Sequence, residues 1–335
     1  MSLKDPHPVT GPCVWCGTDY RDARHWVYQL SGDALADIDR AVHRVRDAGL
    51  NLEDVTPAQF DLPALADDLG TMAEILHRGR GFVRLQGIDR ARYSDDELGI
   101  ILWGLGSHLG IVVSQSQRGD RLGHVQDRGE IGRYYGIGGP IEVHMDPVDV
   151  TGLMCLTPAR HGGATPLMSS FAVHNAILAE RPDLLPALYR GFHYGSETVI
   201  KSDQPPITEH RIPVFNFVDG EPDCFFLPAA IRGPKGEPRD RMPAMEQEAI
   251  AYLQAVAERP DMKIDMVIDP ATVQFVNNRV ILHARADYQD WPQPERKRHL
   301  LRMWLMMPDW PKRPPEVQML RSTDRAGGGI AKATA

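Results

Sequence analysis

The sequence predicts a mainly β fold with flanking helices, a double-stranded β-helix or jelly-roll barrel, on three observations. Strand-like and helix-like stretches do not alternate strictly, which disfavours a doubly wound parallel sheet. No Gly-rich phosphate loop supports one. From about 110 to 170, glycines, short apolar runs and turn residues dominate, the texture of an antiparallel double sheet.

The elements follow in order. The first stretch is irregular and carries Trp15, Tyr20, Trp26 and Tyr28, expected to pin an arm onto the body. Leu35, Ile38, Val42 and Val45 recur at helical spacing and predict a helix over roughly 33–48. Leu65, Leu69, Met72 and Leu76 predict a second over roughly 63–78. Gly81–Leu85 reads as a short strand. Ser94 and Glu97 form a capping-box pattern that starts a third helix, ending near Leu109. Ser170 is expected to cap a helix through Glu180, stopped by Pro182. Residues 200–242, rich in Pro and Gly, read as an excursion from the main sheet, with a strand at Val214–Phe217 and a turn at Asp219-Gly220. A helix follows at about 244–258, then strands at Thr272–Val276, Val280–His283 and His299–Met306. The expected organisation is an arm over 1–30, one domain over 31–325 with an insertion or lid at 200–242, and a disordered tail over 326–335.

Composition narrows the function classes. The chain is 42% hydrophobic and 24% charged, enough apolar material for a sizeable soluble core. Net charge is −8, which supplies no general electrostatic reason to bind nucleic acid or an anionic membrane. No apolar run approaches the ~18 residues of a membrane helix. Met1–Pro6 lacks the apolar core of a signal peptide, so the cytoplasm is the expected location. Cys13-Val14-Trp15-Cys16 has no second metal-binding pair, and its thiols are expected to stay reduced.

His144-Met145-Asp146 carries the chemistry. In a strand, positions i and i+2 point to one face, so an imidazole and a carboxylate are presented together. Taken alone, such a pair among 13 histidines is also consistent with a surface His–Asp hydrogen bond. His283, ending the apolar strand Val280-Ile281-Leu282, is a candidate third ligand. Two His and one carboxylate with open positions form the facial triad that suits Fe(II) and O2 chemistry. Thr165, in Gly162-Gly163-Ala164-Thr165, and Arg298 could together hold a carboxylate, since a guanidinium binds one bidentately and a hydroxyl adds a bond. Arg302 shares a face with Arg298 if both lie in one strand. The two arginines then either meet anionic ligands or pair with internal acids.

The order H-x-D, G-G-x-T, N-N-x-x-x-x-H and R-x-x-x-R resembles the TauD/TfdA family of Fe(II)/2-oxoglutarate dioxygenases. The resemblance runs from about Gly81 to Met307, and more loosely back to Ser31. It implies His144, Asp146 and His283 as catalytic iron ligands. It implies Arg298 and Thr165 as binding 2-oxoglutarate. Arg302 matches the arginine that holds the substrate anion in the sulfonate-using member. Gln115, Gln126 and Tyr135, with Gln117 and Tyr134, lie on the segment that in this family often helps form the pocket. Val143 stands where taurine-type enzymes carry Trp, and Pro270-Ala271-Thr272 where relatives commonly have Pro-Gly-Asp. The segment between His283 and Arg298 is longer than in the taurine enzyme. Asp146 is unlike the small residue of the halogenases.

The activity so implied is oxidation, by default hydroxylation, of a small and anionic organic substrate, with Fe(II), 2-oxoglutarate and O2 as cofactors and succinate and CO2 released. A homo-oligomer is compatible with the family. The alternatives are a different metal-dependent cupin-like hydrolase or isomerase, which leaves Thr165 and Arg298 unexplained, and a silent barrel serving as a binding module, which leaves the intact ligand set unexplained.

Overall fold

The computed structural model describes residues 6–23, 26–127, 138–195, 207–320 and 328–332. Two sheets carry the architecture. The larger runs in the order Val27–Gln29, Phe82–Gln86, Val273–Asn277, Val150–Thr157, His299–Met306 and Ile111–Val113, with Leu122–Gln126 also paired to His299–Met306. The smaller runs Lys263–Met266, Thr165–Ser169, Ile281–Arg285 and Ile141–His144. All these pairings are antiparallel except Val27–Gln29 on Phe82–Gln86. This is the double-stranded β-helix arrangement, with helices packed outside.

Side-chain alternation explains why the sheets face one another. In His299–Met306, Leu301, Met303 and Leu305 sink into the apolar cluster shared with the helices. Leu300, Arg302 and Trp304 point the other way, into a cavity that His144 and His283 of the smaller sheet also line. The helices Gly32–Asp47, Ala66–His77 and Asp95–Leu109 cover the outer face through Ile38, Val42, Leu69, Leu76, Leu98 and Leu102. Ser170–Glu180 and Ala244–Ala257 pack with the smaller sheet around Phe171, Ile250 and Leu253. Among the described residues, no helix is long and apolar enough to cross a membrane.

Local signals set most boundaries. The Ser94–Glu97 capping box forms, with the Glu97 N–H donating to Ser94 Oγ at 3.2 Å and the Ser94 N–H to Glu97 Oε2 at 2.7 Å. Asp219 and Gly220 adopt φ of 51° and 84° between Phe215–Val218 and Glu221–Cys224, as a two-residue hairpin turn requires. The first turn of the expected 63–78 helix is instead 3-10 over Pro63–Leu65, and the α-helix runs Ala66–His77. Ser169, rather than Ser170, is the N-cap: its Oγ accepts from the Ala172 N–H at 3.0 Å, while the Ser170 hydroxyl donates to the Val280 carbonyl. Ala271 takes φ 58°, so the turn keeps a left-handed residue even though alanine stands there.

The arm docks through aromatic edges. Trp15, Tyr20 and Trp26 ring Phe82 at centroid distances of 5.5, 5.5 and 5.8 Å. At the other end the expectation of a disordered tail fails for residues 328–332. The Ile330 N–H donates to the Ser114 carbonyl at 2.7 Å, and Ile330 is buried against Val113, Val148 and Trp304. Apolar Ile330 and Ala331 after three glycines supply burial that a purely compositional reading of the tail overlooks.

Candidate active site

His144 and His283 are direct cross-strand partners in the smaller sheet. Their rings stand 4.4 Å apart, centroid to centroid, at 62°. Asp146 follows two residues after His144. One donor atom from each of the three lies within 4.8 Å of the others, the one cluster of this kind among the described residues.

Each side chain is fixed by its neighbours. His144 Nδ1 bonds the Glu142 carbonyl at 2.8 Å, which leaves Nε2 directed to the cluster. His283 Nδ1 is buried without a hydrogen-bond partner, an orphaned ring nitrogen that suits a metal-binding ring. Burial lowers the pKa of His144 and holds His283 down at about 3, with the His144 ring adding to the effect on His283. Both imidazoles are therefore neutral at neutral pH, the ligating form. For Asp146, burial opposes ionisation, but Arg302, the two imidazoles and the Thr151 hydroxyl outweigh it and hold the carboxyl at about 2. Two neutral imidazoles and one carboxylate fit a divalent first-row metal such as Fe(II).

The Asp146 carboxylate is oriented from the opposite sheet. Its Oδ2 accepts from Thr151 Oγ1 at 2.8 Å and from the Trp304 indole N–H at 3.1 Å. Asn278 accepts the Asp146 backbone N–H at 3.1 Å and donates to Thr151 Oγ1 at 3.0 Å. Asn277 ties the same turn to the Leu76 carbonyl, and Arg279 pairs with buried Asp149 at 2.7 Å. The Asn277-Asn278-Arg279 run thus anchors the loop that carries Asp146. Sequence reasoning missed Thr151, Asn278 and Trp304 as supports. The one signal available was that Trp304 lies two residues from Arg302 and so shares its face.

The cluster sits in a cavity of about 350 Å³ between the sheets. Ile141, Val125, Leu153, Leu227, Leu300 and Ile330 supply apolar wall. Thr165 and Arg298 both line it. Arg298 precedes its strand by one residue, and its backbone N–H is held by Asp290 at 2.6 Å. Its guanidinium lies over Tyr288, 5.2 Å from the ring centre. Among the described residues no carboxylate forms an ion pair with that guanidinium, and burial together with Arg285 lowers its pKa. A buried cation without an ion-pair partner, facing a cavity, is costly by itself and has the chemistry to accept a carboxylate. Gly163 makes room for it: at φ 76°, an added Cβ would crowd Arg298 Nε at 3.1 Å.

Arg302 resolves differently. Its Nη1 lies 3.6 Å from Asp146 Oδ1, and its Nε donates to Gln115 Oε1 at 2.7 Å. Among the described residues, an internal acid near Arg302 is thus the triad carboxylate itself. Gln115 lines the cavity, but its amide also donates to the carbonyls of Arg121 and Arg302, so it braces Arg302. Gln126 does not line the cavity. Val125 does, and alternation along Leu122–Gln126 turns Gln126 to the other face. Tyr134 and Tyr135 lie outside the described residues.

Comparison with known proteins agrees with this geometry. The family model described as taurine catabolism dioxygenase TauD, TfdA family, matches residues 47–304. The chain is 29% identical over 308 residues to an FR-33289 synthase from Streptomyces rubellomurinus, covering 89% of this chain and 90% of the relative. It is 28% identical over 306 residues to the taurine hydroxylase-like protein SAT17 of Stachybotrys chartarum, covering 87% and 77%. An asparagine oxygenase solved with Fe(II), 3-hydroxyasparagine and succinate shares the fold at a TM-score of 0.66 and 15% identity, over 84% of this chain and 94% of that one. The chain belongs to the TauD/TfdA family of non-haem Fe(II)- and 2-oxoglutarate-dependent dioxygenases.

Proposed function

We propose that this enzyme hydroxylates a small organic anion, with Fe(II) held by His144, Asp146 and His283 and 2-oxoglutarate held by Arg298 and Thr165. The observation that carries this reading is a neutral His–His–carboxylate cluster and, among the described residues, a buried arginine without an ion-pair partner, lining one cavity. Fe(II) with 2-oxoglutarate and O2 supplies the C–H oxidation, releasing succinate and CO2. The protein's part is geometric and electrostatic. Thr151 and Trp304 hold one Asp146 oxygen so that the other faces the metal position, and the Glu142 carbonyl sets the His144 tautomer. Arg298 would hold a carboxylate of the cosubstrate, and the apolar walls would exclude water.

Charge supports an anionic substrate. Among the described residues, Arg285, Arg298 and Arg302 line the cavity with Glu142 and Asp146, three cations less two carboxylates, or a surplus of one. Fe(II) and a doubly charged 2-oxoglutarate cancel, so the surplus favours one further negative group. One relative is named for taurine, a sulfonate, and a structural neighbour holds a hydroxylated amino acid with succinate. The single-domain reading over 31–325 fits as well, with the 200–242 stretch contributing Leu227–Ala230 to the cavity wall.

Succinate release should be screened against small sulfonates, phosphates, carboxylates and amino acids, with the product checked for one added oxygen atom. No release above the substrate-free background with any acid would overturn the anionic assignment. Once a substrate is found, Arg302→Lys should raise its KM by roughly ten- to a hundredfold, the worth of a charge-assisted bond of about 1.5–3 kcal/mol. The retained positive charge still faces Asp146, so Fe(II) affinity should change little. An unchanged substrate KM makes Arg302 a support for Asp146 alone.

Thr151→Val tests the carboxylate support. Valine keeps the shape but removes the bonds to Asp146 and Asn278. Fe(II) affinity should fall by roughly ten- to a hundredfold, as for other outer partners of metal ligands. Anaerobic Fe(II) titration reads this, and parent-level affinity would show that Asp146 is oriented without Thr151.

A further inference from the structure

We infer that Ile330, delivered by the C-terminal segment Gly328–Lys332, is a specificity-determining residue of the substrate cavity. This rests on the reading of the cavity as the active site. Ile330 is one of the cavity-lining residues, although it comes from the last few residues of the chain. It is 4% exposed and packs in a small apolar cluster with Val113, Val148 and Trp304. Trp304 is the residue whose indole N–H holds Asp146 Oδ2. The Ile330 side chain therefore backs the wall next to the triad carboxylate, where the volume of a substrate is sensed.

The seat for this segment is built into the backbone. The Ile330 N–H donates to the Ser114 carbonyl at 2.7 Å, next to the strand Ile111–Val113 at the edge of the larger sheet. Gly329 adopts φ 74°, and a Cβ there would lie 2.4 Å from Ser114 O and 2.9 Å from Val113 Cβ. A Cβ on Gly328 would lie 2.2 Å from Met306 Cγ. Only glycine allows so close an approach at these two positions. Lys332 lays its methylenes over Gly119, about where a Cβ there would meet them at 3.4 Å. A segment placed by two close-packed glycines and one backbone hydrogen bond presents Ile330 in one position. That is what a selectivity residue needs.

The test compares Ile330→Ala, Ile330→Phe and Gly329→Val with the parent, using taurine, asparagine and a graded series of alkyl sulfonates and carboxylates as probes. Succinate release above the substrate-free rate is read for each acid. Removing three carbons from a pocket wall should shift the ratio of rates for longer over shorter acids by at least about tenfold, since one methylene is worth roughly 10–200-fold. Ile330→Phe should shift it the other way. Gly329→Val should behave as Ile330→Ala and should also speed tryptic cleavage after Lys332, read by mass. If no probe is turned over, the substrate-free rate of 2-oxoglutarate consumption is read instead. It should move by several-fold in opposite directions in the two Ile330 variants, because the wall sets water access to the cavity. Profiles and background within twofold of the parent in both Ile330 variants would overturn the assignment. Failure of the active-site reading is recognised separately, because the parent itself would then bind neither Fe(II) nor 2-oxoglutarate anaerobically.

Discussion

Asp146→Ala is expected to lower Fe(II) affinity by more than about a hundredfold and to abolish 2-oxoglutarate turnover. Loss of an outer partner of a metal ligand costs roughly ten- to a hundredfold, and Asp146 is itself the anionic member of the donor set. Two further losses accompany it. The Thr151 hydroxyl and the Trp304 N–H lose their shared acceptor in a buried place. Arg302 loses the carboxylate 3.6 Å away, so its charge faces the two imidazoles with that attraction removed. A cation beside the metal position then opposes a second one. Anaerobic titration with Fe(II) and 2-oxoglutarate should give a weak visible charge-transfer band in the parent and none in the variant. Denaturant unfolding of the metal-free variant controls for a lost fold. A band of parental strength in a folded variant would mean that Asp146 is not a ligand.

The residues that carry chemistry were legible because their spacing constrains them. His144 ends Ile141–His144 with Asp146 two residues on, a spacing that marks the first pair, whereas His283 sits in the middle of Ile281–Arg285 and meets His144 through cross-strand register. Helix Asp95–Leu109 was legible to the residue because its cap is written as Ser94 and Glu97. What stayed hidden depends on contacts between distant strands. Thr151, Asn278 and Trp304 meet Asp146 across 5, 132 and 158 residues of chain, and no local pattern encodes such meetings. Adjacent serines at 169 and 170 are equivalent as a sequence signal, and only the backbone decides which one caps. Gln126 was placed at the pocket only through the segment it lies on, and alternation along Leu122–Gln126 turns it to the other face. The tail was misread because glycines signal flexibility in isolation but close packing when a sheet edge waits for them.

Arg298→Met is expected to raise the 2-oxoglutarate requirement by about a hundredfold or more while leaving the metal-free protein equally or more stable. The two effects have opposite signs for one reason. The Arg298 guanidinium is buried, its pKa is lowered by desolvation and by Arg285, and among the described residues no carboxylate pairs with it. Without an anion such a charge opposes folding, so a similarly long apolar side chain should be tolerated. With the cosubstrate bound, the same charge contributes two charge-assisted hydrogen bonds of about 1.5–3 kcal/mol each, and methionine forfeits them. Arg298→Lys should fall between, keeping the charge but losing the planar fork, with roughly a tenfold rise in KM for 2-oxoglutarate. Thermal unfolding reads both effects. Saturating 2-oxoglutarate with a redox-inert divalent metal should raise the Tm of the parent by ligand linkage and should raise that of Arg298→Met much less, with the metal alone acting equally on both. If Arg298→Met is strongly destabilised without ligand, the arginine is a structural residue. If instead the variant keeps parental 2-oxoglutarate dependence, the cosubstrate carboxylate is held by Arg285, the other cavity arginine beside Tyr288.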